Sequence, residues 1–177
     1  MSNEIDAMSP EMPPEIPRAM PPEMTTQEAM SLTGFEQING ILEGRFAPPS
    51  IGTLMKYKMH AVAEGRVVFR STPDDTVLNP MGSVHGGWYG TLLDSAMACA
   101  VATRVPKGFF STTLEYKVNI IRPIAVGTSV DAIGETDHIG RSTGVATGKI
   151  VGVEDGRLYA TASTTCIVIK LEPTKPE

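Results

Sequence analysis

A single acid, Asp94, sits in the otherwise uncharged stretch from Gly86 to Thr103, among Leu92, Leu93, Ala96, Met97, Ala98, Ala100 and Val101. A carboxylate in such surroundings is costly unless it finds a partner, and strongly desolvated acids cluster at functional sites. Directly before it runs Asn79-Pro-Met-Gly-Ser-Val-His85-Gly86-Gly87. Glycines where a loop enters a helix let the backbone approach a ligand. The first amides of that helix are unsatisfied donors at the positive end of its dipole. Such a helix start can stabilise a developing oxyanion. The plainer readings are that Asp94 packs against a distant Arg or Lys at a subunit interface, that Gly86 and Gly87 are turn residues, and that His85 is a hydrogen-bonded loop histidine.

Spacing decides how these groups can meet. On one helix Asp94 lies eight residues beyond Gly86, about 12 Å further along the axis. One carbonyl cannot touch both within a single chain. Two copies of the helix packed antiparallel about a two-fold axis bring the start of one beside Asp94 of the other, which predicts two identical composite sites in a homodimer.

The elements that must hold this helix follow from the pattern on either side. From Thr25 to Glu43, Thr26 is a candidate N-cap, and Met30, Phe35, Ile38, Ile41 and Leu42 form an apolar stripe that Gly34 and Gly40 weaken. Pro48-Pro49 stops it. Strands are expected from about 53 to 62 and 66 to 71 around a Glu64-Gly65 turn. The segment 86–104 is apolar or small nearly all round, so the helix is expected to be buried on most sides. Beyond it, Leu114, Tyr116, Val118 and Ile120 alternate with Glu115, Lys117 and Asn119 as a half-buried strand. Strands near 129–137, 143–153 and 157–170 follow, with turns at His138–Arg141 and Asp155-Gly156. Sequential strands joined by short turns give an antiparallel sheet, with the one long helix against its concave face.

Composition narrows the function. The 177 residues, 41% hydrophobic and 20% charged, suit one domain. Residues 1–27 hold five acids and one base, which is −4 of the net −5, so the rest is nearly neutral and carries no basic cluster. Nucleic acid is therefore not an expected partner. Six prolines within residues 1–24 predict a disordered or loosely docked arm, ahead of a single domain over 25–172 and a tail over 173–177. Asp94 interrupts the longest uncharged stretch, so no membrane partner is expected. The start Met-Ser-Asn-Glu shows no secretory leader, and Cys99 and Cys166 are too few for a disulfide framework, which together suggest the cytoplasm. His60, His85 and His138 are not paired at ligand spacing, so no metal is expected.

The run NPMGSVHGGWYGTLLDSAMACA, then TTLEYKVNIIRP and DGRLYATASTTCIV, resembles the PaaI-like branch of the hotdog-fold acyl-CoA thioesterases over about residues 34–170. The resemblance implies an α+β hotdog fold, a curved antiparallel β-sheet wrapped around a long central α-helix, dimeric and often assembled further into a homotetramer. It makes Asp94 the base or nucleophile, and gives the Gly86 amide to the thioester oxygen. His85 and Asn79 take positions that orient the carbonyl or the water, and Thr113 becomes a hydroxyl holding water or carboxylate. The substrate is then an acyl-CoA, with no cofactor beyond the CoA it carries. Arg141, Ser142 and Arg122, with Lys107 as a further candidate, are the groups that could meet the CoA moiety. Trp88, Tyr89, Met97 and Phe109 or Phe110 either line an acyl pocket or belong to the core. A hotdog hydratase or dehydratase and a non-catalytic acyl-CoA-binding dimer are the competing readings.

Overall fold

The computed structural model describes residues 21–172. Most of the expected arm, residues 1–20, and the expected tail, 173–177, lie outside the described residues. The end of the arm is docked, since the Ala47 amide donates to the Pro22 carbonyl at 2.9 Å.

Two short helices open the chain, α1 (Thr26–Ser31) and α2 (Gly34–Leu42). Each starts on a reciprocal capping box, Thr25 with Glu28 and Thr33 with Glu36, in which the threonine side chain accepts an amide proton and the glutamate reaches back. The cap is therefore Thr25 rather than Thr26. The break falls at the second box, because Thr33 satisfies the orphan amides of a new helix, while Gly40 stays inside α2. A third helix, α3 (Ser50–Leu54), replaces the expected start of the first strand, and β1 (Tyr57–Ala63) pairs with β2 (Arg66–Ser71) around the left-handed Gly65.

The long helix α4 (Gly86–Ala102) is followed by β3 (Phe109–Ile120), β4 (Val130–Ile139), β5 (Thr143–Gly152) and β6 (Leu158–Lys170). All neighbours are antiparallel, in the order β1-β2-β4-β5-β6-β3. Leu92, Leu93, Ala96, Met97, Ala100 and Val101 form the fully buried stripe of α4 against this sheet. Beneath them Gly134 of β4 pairs with Gly148 of β5. A Cβ on Gly134 would lie 2.2 Å from the Ala96 carbonyl oxygen, so the helix backbone rests directly on a glycine floor.

The expectation of a curved sheet wrapped around the helix is corrected. The six strands form an open layer whose edges, β1 and β3, each pair on one side only, and α4 lies against one face of it. The uniform apolarity of α4 has a different cause. Its sheet-facing stripe is buried, while the positions turned away carry small or hydroxyl side chains such as Thr91, Ser95 and Ala98, which are only partly covered. Such residues need no enclosing wall. Its flanks meet α2 near one edge and β3 at the other.

Candidate active site

Asp94 stands on the partly exposed side of α4, and the Thr113 hydroxyl donates to its Oδ1 at 2.8 Å. Thr113 reaches it because β3 carries one extra residue. Along β3, Ile120, Val118 and Tyr116 pair with Ala160, Ala162 and Thr164, and Thr113 and Ser111 pair with Cys166 and Val168. Those β6 partners alternate on the core-facing side, where all five have no more than 8% of their surface exposed. Three residues separate Tyr116 from Thr113, an odd step that would put them on opposite faces of a regular strand. The register shift between Thr113 and Glu115 leaves Leu114 unpaired and restores Thr113 to the helix side. The strict alternation expected through Leu114 thus stops at Tyr116.

Three contacts tie β3 to α4. A Cβ on Gly86 would come within 3.4 Å of Ile120, a Cβ on Gly90 within 3.2 Å of the Tyr116 hydroxyl, and Asp94 accepts from Thr113. Tyr116 over Gly90 was not anticipated; the signal available was the four-residue recurrence of Gly86, Gly90 and Asp94 on one helical face.

The start of α4 is built as a donor site. His85 is the N-cap, and its Nδ1 accepts from the Gly87 amide at 2.9 Å. An accepting Nδ1 carries no proton, so the neutral ring bears it on Nε2. Gly86 is exposed, and among the described residues its amide has no hydrogen-bond acceptor. Asn79 organises the loop before the helix: its Oδ1 accepts from the Met81 and Ser83 amides at 2.9 and 3.2 Å, and its Nδ2 donates to the Ser83 hydroxyl at 2.9 Å. An antiparallel bridge, Leu78 to Val84, and the left-handed Gly82 complete that loop.

Within one chain the structure brings Asp94 and Thr113 together and, separately, Asn79, His85 and Gly86. The helix between Gly86 and Asp94 is unbroken, which keeps the two groups about 12 Å apart along its axis. The residues considered for CoA are also divided. Ser142, beside Arg141 in the β4–β5 turn, accepts from the Val168 amide at 2.9 Å, whereas the Arg122 guanidinium donates to the Leu158 carbonyl at 2.6 Å. Ten residues of β6 separate these anchors, about 33 Å of extended strand. Arg122 and Arg141 of one chain therefore cannot grip one phosphate group. Trp88, Tyr89 and Met97 are core: the Trp88 indole donates to the Met55 carbonyl, and Tyr89 accepts from the Ile124 amide.

An apolar cavity of about 550 Å³ lies between α2, α3, β1 and α4. Ser95 and Cys99 supply its α4 wall, and Ser95 Oγ and the Tyr57 hydroxyl are 2.6 Å apart. Burial pushes the Cys99 thiol up to about 12, with the Asp94 charge adding to it, and burial likewise raises the Tyr57 hydroxyl against the opposing hydrogen bond from Ser95.

The thioesterase superfamily model matches residues 81–159, from the loop through α4 to β6. No curated protein matches the sequence. Among solved structures, the PaaI protein of the E. coli phenylacetic acid degradation operon superposes with a TM-score of 0.66 over 80% of this chain and 95% of its own, a likeness of fold at 21% identity. A phenylacetic acid degradation-related protein from Ralstonia eutropha, a thioesterase by description, is 27% identical over 73% of this chain and 98% of its own, with a TM-score of 0.66. A hypothetical thioesterase from Streptococcus pneumoniae, solved with coenzyme A, is 27% identical over 66% and 88%, with a TM-score of 0.59.

Proposed function

We propose, from the premise that this chain belongs to the PaaI-like hotdog-fold thioesterases, that it hydrolyses an acyl-CoA thioester to the free acid and CoA. The observation that carries the reading is the combination of Asp94, held by Thr113, with a Gly86 amide that has no acceptor among the described residues, at the capped start of the same helix. Two copies are needed to assemble the site, and the apolar edge of β3 supports a homodimer. Leu114, Tyr116 and Ile120 keep 58%, 45% and 50% of their surface in the single chain, an uncovered strand edge of the kind proteins pair or blunt. A homotetramer is a further step of the same kind.

In this reading the thioester carbonyl accepts from the Gly86 amide of one copy while Asp94 of the other acts at the carbonyl carbon. Asp94 either takes a proton from water as the water oxygen attacks, or attacks itself and forms an anhydride that water cleaves. In both routes the carbon–sulfur bond breaks and the CoA thiol leaves with a proton. The helix amide acts where the oxyanion develops, a contribution of about 10²- to 10³-fold for one well-aimed donor. Asn79 and His85 hold the loop that presents it. CoA crosses from one copy to the other, because Arg122 and the Arg141–Ser142 turn sit at opposite ends of each chain. The bound coenzyme A in the S. pneumoniae relative supports CoA as the carrier. The free thiols of Cys99 and Cys166 fit a cytoplasmic protein, and among the described residues no helix is long and apolar enough to cross a membrane.

Asp94→Asn keeps size and hydrogen bonding but removes the base. Thiol release from acyl-CoA should fall by about 10²- to 10⁴-fold with the fold intact. Undiminished turnover in that variant rejects the assignment. Hydrolysis in oxygen-18 water separates the two roles, since label in the Asp94 carboxylate marks the anhydride route.

A further inference from the structure

Resting on that reading, we infer that the cavity between α2, α3, β1 and α4 holds the acyl tail, and that the preferred substrates carry an aliphatic chain of medium to long length. Position is the first argument. The cavity is walled by Ser95 and Cys99, on the turns of α4 that carry and follow Asp94. The chemistry of the lining is the second. Ile38 and Ile41 of α2 form one wall and Tyr57 and Met59 of β1 the other. The Tyr57 and Ser95 hydroxyls between them are hydrogen-bonded to each other at 2.6 Å. Of the two lysines at its border, both exposed, Lys56 is bound to Asp74. A mainly apolar wall, with its two lysines at the exposed rim, selects an apolar guest.

Size is the third argument. A single benzene ring fills a cavity of about 150 Å³, whereas this one measures about 550 Å³. An aryl acyl group would leave most of it empty, whereas an alkyl chain can extend through the space under α2. Each methylene that enters should tighten binding about fourfold.

The test uses non-hydrolysable thioethers, S-butyl-CoA and S-dodecyl-CoA, titrated calorimetrically into the full-length protein. Four of the eight extra methylenes seated in the cavity give about 250-fold tighter binding of the dodecyl probe. Ile41→Trp and Met59→Trp fill it from opposite walls and should each cut that dodecyl-to-butyl ratio by about tenfold or more. Equal affinity of the wild type for the two probes overturns the inference without any variant. So does a dodecyl preference that survives both tryptophans. Thiol-release assays on butyryl-, dodecanoyl- and phenylacetyl-CoA run alongside. If no thioester is cleaved but the dodecyl preference stands and yields to the tryptophans, hydrolysis fails and the acyl cavity holds. If all are cleaved alike and no preference exists, the cavity fails and hydrolysis holds.

Discussion

Replacing Thr113 by valine separates what the hydroxyl does for chemistry from what it does for folding. Valine keeps the volume and the β-branched shape that suits an extended strand, and removes only the donor that sits 2.8 Å from Asp94 Oδ1. A hydrogen bond to a charged group is worth about 1.5–3 kcal/mol, and at 1.36 kcal/mol per decade its loss lowers kcat/KM by about 10- to 150-fold if the bond holds the carboxylate in its reacting position. Stability should barely follow. Asp94 is only partly buried, so water replaces the lost donor, and the unfolding free energy drops by less than about 1 kcal/mol. Thr113→Ser restores the hydroxyl and should recover most of the activity. The assay is thiol release at low substrate, with urea unfolding on the same preparations. Wild-type kcat/KM in the valine variant refutes the reasoning, and so does an activity loss matched by an equal loss of folded protein.

Gly134→Ala places a Cβ 2.2 Å from the Ala96 oxygen and should lower the urea midpoint by the equivalent of about 1–3 kcal/mol. Gly148→Ala, which meets the flexible Met97 side chain at 2.8 Å, should cost less; an equal or reversed order rejects the glycine-floor argument. Acid stability should report the Lys56–Asp74 ion pair, which with the Thr76 hydrogen bonds brings the Asp74 carboxyl from 3.8 to about 2. A depressed folded-state value stabilises the fold above the unfolded value, so this contribution is complete above 3.8 and disappears as pH falls through about 2. The stability gap between wild type and Lys56→Met should therefore close over that interval, and a gap independent of pH contradicts it.

Much of the fold was legible because its signals are local. The alternation from Tyr116 to Ile120, the Gly65 and Gly156 turns and the span of α4 are set by neighbours in sequence, and the strand ends lie within a few residues of expectation. The short α3 was not: Thr53 and Leu54 read as strand, but they follow Pro49 at a helix start. The second capping box was equally readable, Thr33 and Glu36 standing three apart, yet a continuous apolar stripe masked it. The openness of the sheet was beyond reach, since strand apolarity says which face is covered and not whether the two edges meet. The acid and the amide stood out by composition and spacing. The partner of the acid emerged only with the register of β3 on β6, which depends on pairing across 53 residues between Thr113 and Cys166. The cavity likewise joins α2, β1 and α4, which no single window contains.

The supernumerary residue at Leu114 divides β3 into two stretches of opposite phase, one seating Tyr116 and Ile120 on the helix and the other delivering Thr113 to the acid. Topology and chemistry are therefore coupled through the count of residues in one strand rather than through any side chain. A descendant shortened by one position there could retain every hydrogen-bonded neighbour in the sheet and still turn its threonine outward. Kinship of shape among such chains thus says nothing about whether the acid keeps its donor, and the parity of this strand is the place to look for the point at which a catalyst became a mere binder.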